Sequence, residues 1–177
     1  MPGLAGLRVV LGPGAMGSPA DMAPFVAGLR ARGVPAEAVA LPRGRAERAA
    51  PVFAALAGPE VVAGGHSFGG RAASLAAAAE GVRFAGLLLF GFPLAGQAER
   101  RTAHLARVGC PVLVVNGAED RISPAAELRR ALAPFPLVRL LVLPGAGHRL
   151  AGPALERALD AAADFVADLG PLGGAHH

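Results

Sequence analysis

Apolar and polar positions along this chain alternate between two patterns. Short apolar runs with little polar alternation lie at Leu7–Leu11, Ala36–Leu41, Glu60–Gly64, Gly86–Phe90, Pro111–Val115 and Leu137–Leu143, each closed within two residues by glycine or proline. Runs of this length, rich in Val and Leu, predict strands buried on both faces. Between them the apolar period becomes helical. Met22, Phe25, Val26 and Leu29 share one face before Gly33, with Ser18 or Asp21 as the cap. Further helices are predicted over 45–56, despite Pro51, over the alanine-rich 71–79, and over 99–108. Ser123-Pro124 reads as a helix start running through Leu132, and Pro153–Leu169 as a closing amphipathic helix. Gly58-Pro59 reads as a turn.

Strands and helices in strict alternation argue a doubly wound α/β fold with about six mainly parallel strands and helices on both faces. Residues 1–172 read as one domain without internal repeat, and no connection is long enough for a lid. Residues 173–177 read as a disordered tail.

Composition changes this picture little. The 17 basic side chains are all arginine, and the formal net charge is +4. They are scattered between apolar helical positions without the interleaved aromatics that stack on bases, so no nucleic-acid partner is expected. The single cysteine, Cys110, cannot form an internal disulfide and reads as a buried thiol. Val9-Val10-Leu11 is too short for a signal peptide, and no apolar run reaches the roughly 18 residues of a membrane span, so a cytoplasmic protein without membrane contact is expected.

The chemistry concentrates at strand ends. Val61-Val62-Ala63 runs into Gly65-His66-Ser67-Phe68-Gly69, and a helical segment follows at once. Glycines two residues on either side of a serine, between strand and helix, suit a turn sharp enough to expose the hydroxyl. Serine needs a base, and a base needs an orienting acid. Asp120 follows a later strand, and His148 follows the last one after Gly145-Ala146-Gly147. Asp120 is preferred to its neighbour Glu119. His66 is expected to shape the turn, and His104 to be structural. The Phe68 N–H is the first donor expected for an oxyanion, and the second is placed in the loop after the first strand, at Ala15 with Met16 next. No His, Cys and carboxylate cluster has metal-ligand spacing, and Gly12–Gly17 lacks the endings of nucleotide-binding loops, so no cofactor or metal is expected.

On these residues the chain resembles small, lidless α/β-hydrolases related to dienelactone hydrolase, in particular the Tex30-like group. Pro13-Gly14-Ala15, Gly65–Arg71, Gly91-Phe92-Pro93-Leu94, Arg101-Thr102-Ala103-His104-Leu105, Asn116–Asp120 and Gly147-His148 carry the resemblance. It implies a minimal α/β-hydrolase fold without a cap domain, with Ser67, Asp120 and His148 as catalytic triad. Its departure is Pro13-Gly14, where many relatives carry His-Gly. The short stretch from Gly91 to Cys110 predicts an open site, with Met16, Phe92 and Leu94 as an apolar wall. Arg71 either orients an anionic substrate or pairs with a carboxylate. The activity expected is cleavage of small carboxylic esters or thioesters through an acyl-enzyme, by a monomer or homodimer acting on a small acyl substrate. The rival expectation is a non-catalytic scaffold of the same fold.

Overall fold

The computed structural model describes residues 6–170; the predicted tail at 173–177 lies outside them. Six strands form one sheet: β1 (Arg8–Gly12), β2 (Ala36–Ala38), β3 (Gly58–His66), β4 (Phe84–Phe90), β5 (Val112–Gly117) and β6 (Val138–Leu143). All pairings are parallel, in the order β2-β1-β3-β4-β5-β6. Six helices connect or close them: α1 (Ala23–Ala31), α2 (Ala46–Ala54), α3 (Phe68–Ala78), α4 (Ala98–Thr102), α5 (Ala125–Leu132) and α6 (Gly152–Leu169).

Successive strand residues point to opposite faces, so each apolar run feeds two cores. Val10, Ala63, Leu87, Leu89 and Val114 face α2, α3 and α5, where Phe53, Ala73 and Leu128 are buried. Val9, Leu11, Val62, Leu88 and Val115 face α1 and α6, packing with Leu29, Leu159 and Phe165. That double burial explains the missing polar alternation.

Three local expectations need correction. Gly58-Pro59 belongs to β3 rather than to a turn; the register with β4 shifts between Gly58 and Val62, an irregularity at which proline's missing N–H is tolerated. The segment predicted as one helix over 99–108 divides into α4 and a 3₁₀ stretch, Ala103–Arg107. Ser123 does not cap α5, whose N-cap is Pro124. The Ser123 hydroxyl instead donates to the Phe92 carbonyl and accepts from the Leu94 N–H at 2.8 Å.

The chain moves from β1 outward to β2, then returns past β1 to β3 and proceeds the other way. The strand order therefore reverses at β1/β3, and such a reversal opens a crevice beyond the carboxyl ends of the two strands.

Candidate active site

Ser67 occupies that crevice. β3 ends at His66 and α3 begins at Phe68, leaving Ser67 alone to turn the chain, with φ 51° and ψ −115°. A side chain in this region costs about 1–3 kcal/mol and persists only where its surroundings hold it. Here they do: the Ser67 N–H donates to the Phe90 carbonyl at 2.9 Å, and its own carbonyl accepts the Arg71 N–H at 3.0 Å. The two flanking glycines are required by close approach. A Cβ on Gly65 or Gly69 would lie 2.2 or 2.1 Å from the Gly12 carbonyl oxygen. The turn is thus seated directly against the end of β1 and the loop that follows it.

The ends of β5 and β6 bring in the other two groups. The Ala118 N–H donates to Leu143 O at 2.8 Å and the Glu119 N–H to Ala146 O at 2.8 Å, tying the two loops together. His148 Nδ1 lies 2.8 Å from Asp120 Oδ2, and His148 Nε2 lies 2.9 Å from Ser67 Oγ. An Nδ1–H donating to the carboxylate leaves Nε2 bare, facing the serine hydroxyl, so the imidazole can accept the serine proton. Glu119 is exposed, and its side chain contacts neither His148 nor Ser67.

The Asp120 side chain is fully buried. Burial by itself raises a carboxyl's pKa. The His148 contact and the Ser123 and Ile122 N–H groups, at 3.0 and 2.8 Å from Oδ1, outweigh it and hold the group below the ordinary aspartate value. Asn116, buried at the end of β5, adds a fourth anchor that sequence reasoning missed. Its Nδ2 donates to Asp120 Oδ2 at 2.9 Å, while its Oδ1 accepts the Phe92 N–H at 3.0 Å. An amide inside an apolar strand was the available signal, because a buried polar group needs partners.

His66 also has a definite position. Its Nε2 donates to the His148 carbonyl at 3.0 Å, and the two rings stand 5.0 Å apart. Burial, ahead of the proximity of His148, pushes its pKa below the ordinary histidine value, which favours the neutral ring. His104 is buried beneath α3 and bonds Ser74 Oγ at 2.7 Å, while that hydroxyl donates to Arg71 O at 2.7 Å. Burial lowers its pKa to about 4. Cys110 is a buried thiol whose pKa is raised by burial to about 11.

A cavity of about 460 Å³ opens beside Ser67, lined by Ala15, Phe68, Arg71, Pro93 and Gln97 among others. The Phe68 and Ala15 N–H groups have no acceptor among the described residues. Phe92 and Leu94 do not form the expected wall. They are 1% and 0% exposed, packed into the core by the Asn116 and Ser123 bonds to their backbone, and Pro93 between them lines the cavity instead. Met16 is 73% exposed and lines a smaller neighbouring pocket with Leu41 and Pro42. Arg71 pairs with Glu47 at 3.7 Å. Among the described residues no group of three or more His, Cys, Asp or Glu stands close enough to hold a metal ion, and no helix is long and apolar enough to cross a membrane.

Comparison with solved structures finds the same fold in proteins of low identity. Monoacylglycerol lipase from Paleococcus ferrophilus matches with TM-score 0.76 at 16% identity, over 92% of this chain and 94% of that one. Est1E from Butyrivibrio proteoclasticus matches with TM-score 0.76 at 17% identity, over 92% and 88%. Esterase PE8 matches with TM-score 0.71 at 21% identity, over 96% of each chain. No curated protein matches the sequence. The family model for the alpha/beta hydrolase domain matches residues 30–166. Those residues span most of the sheet and every side chain of the Ser67–His148–Asp120 array, and the chain belongs to the alpha/beta hydrolase domain family.

Proposed function

We propose that this protein is a serine hydrolase that cleaves small carboxylic esters or thioesters through an acyl-enzyme. The observation that carries the reading is the unbroken chain Ser67 Oγ, His148 and Asp120 at 2.9 and 2.8 Å, set on a strained turn. In this reading Ser67 Oγ attacks the acyl carbon and its proton passes to His148 Nε2. The carbonyl oxygen, now an oxyanion, is held by the Phe68 and Ala15 N–H groups. The bond to the leaving alcohol or thiol breaks, and that group takes the proton from His148. Water then attacks the acyl carbon, gives its proton to His148, and displaces Ser67 Oγ, which is reprotonated. Ester and water become acid and alcohol, and Asp120 steadies the imidazolium in both halves. Structural neighbours named as esterases and a lipase support the ester class. The relationship to the lidless Tex30-like enzymes forms part of this proposal, supported by Gly91-Phe92-Pro93-Leu94 and Arg101-Thr102-Ala103-His104-Leu105. So does a cytoplasmic location, supported by a single free thiol and a fold independent of disulfides.

The test is intact mass after exposure to a fluorophosphonate, for wild type and Ser67→Ala. One adduct per chain on wild type alone is expected, together with a loss of at least about 1000-fold in ester turnover in the variant. A folded wild-type protein that takes no adduct and cleaves no ester overturns the reading in favour of a non-catalytic scaffold.

A further inference from the structure

The cavity beside Ser67 is strongly basic. Arg45, Arg71, Arg100 and Arg101 line it, against one carboxylate, Glu47. Scattered arginines on solvated helix faces need no explanation, but Arg71 is not on such a face. Its side chain is only 13% exposed, and its Nε is buried without a hydrogen-bond partner among the described residues. Its contact with Glu47, at 3.7 Å, is long beside the 2.7–2.9 Å typical of a strong charged hydrogen bond, so the guanidinium retains bonding capacity. Arg45 and Arg100 have no ion-pair partner among the described residues, and Arg101 bonds only the Pro93 carbonyl, at 3.2 Å. Like charges gathered round one cavity repel, and an anion between them relieves that repulsion.

The cavity also has a definite side. Ala15 and Phe68, whose N–H groups would hold the carbonyl oxygen, line it together with the arginines, whereas His148 does not. The leaving alcohol or thiol must sit at His148 Nε2 to be protonated. The part of the substrate that enters the arginine cavity is therefore the acyl part. Arg71 stands one helical turn beyond Ser67 on α3, and long helical side chains lean toward the helix N-terminus, here toward the serine.

We propose that the cavity beside Ser67 binds an acyl group that carries its own carboxylate, held by Arg71 with Arg100 and Arg101, so that the substrates are monoesters or monothioesters of dicarboxylic acids. The assignment rests on the hydrolase reading for which side is acyl. Its binding test does not depend on turnover.

Monomethyl glutarate and dimethyl glutarate, which differ by one charge, are titrated calorimetrically into the Ser67→Ala protein. The monoanion is expected to bind at least 10-fold more tightly, with an advantage that shrinks as salt screens the arginines. The double substitution R100Q/R101Q, at exposed and half-exposed positions, is expected to cut that advantage at least fivefold, and Arg71→Gln to do the same. Equal affinities, or binding of neither ester, overturn the proposal. Wild-type turnover of the p-nitrophenyl monoesters of succinate, glutarate and adipate, against p-nitrophenyl butyrate, separates the two ideas. If the monoanion binds but no ester turns over, the hydrolase reading fails and takes the acyl assignment with it, and only the carboxylate-binding cavity stands. If butyrate is cleaved as fast as all three monoesters, the acyl-carboxylate proposal fails alone.

Discussion

At the scale of the residue, Ser67 holds a conformation that its own side chain disfavours. With φ at 51°, the strain resides in the Cβ, and only glycine is free of it. Replacement by alanine keeps the strain and removes the hydroxyl; replacement by glycine removes both. We expect Ser67→Gly to unfold at a higher denaturant midpoint than Ser67→Ala, by about 1 kcal/mol or more, although both are inactive. Equal midpoints in urea titrations would mean that the turn stores no strain. The sequence announced this residue because its requirements are local: two glycines, a strand before and a helix after. It did not announce Asn116 or Ser123. Each is an ordinary polar residue that joins nearby Asp120 to Phe92, whose backbone comes from another point in the chain. The same two side chains explain why Phe92 and Leu94 were misread. The strand-end loop is turned inward by hydrogen bonds to Asn116 and Ser123, and no local pattern encodes that rotation.

At the scale of the element, the site depends on how loops from different strands are held at a common height. His66, the last residue of β3, bonds the carbonyl of His148, which lies in the loop between β6 and α6. In the hydrolase reading it is a positioning residue for the imidazole, acting through the His148 backbone. We expect His66→Ala to lower kcat for an aryl ester about 10- to 100-fold with little change in KM, because the nucleophile–base geometry loosens while the cavity keeps its lining. His66→Gln, whose amide N–H can reach the same carbonyl, is expected to recover much of the loss. Were the ring only filling space beside Phe25, both variants would lower thermal stability and leave kcat unchanged. The sequence showed which loops carry Ser67, Asp120 and His148, since each follows an apolar run. It was less informative about element ends. Pro59 suggested a turn, but the register irregularity in β3 absorbs it.

At the scale of the whole molecule, burial of neutral histidines ties stability to pH. His104 has a native pKa of about 4 against 6.5 for the free side chain. Between those values the unfolded chain takes up a proton that the native protein refuses, so stability falls as pH drops from about 6.5 to 4 and this contribution changes no further below. His66 acts in the same direction. We expect the unfolding free energy to decline on the order of 3 kcal/mol through this window, measured by urea midpoints at fixed pH, and the slope to flatten in His104→Gln. An unchanged slope in that variant would assign the decline to other groups. The fold class was legible at this scale because parallel strands buried on both faces leave uninterrupted apolar runs, a signal that survives errors of two or three residues at each boundary.

The strict parallelism of the sheet has a practical consequence. Every strand delivers its carboxyl end to the rim that holds Ser67, so the opposite rim carries the segments that enter the strands, among them the turns at Glu80–Arg83 and Arg107–Gly109, most of whose residues are exposed. A dye, an affinity handle or a solid support attached there stands a full strand length away from the serine, on a surface that the array does not use. The molecule can be tethered by that end with its reactive rim facing outward.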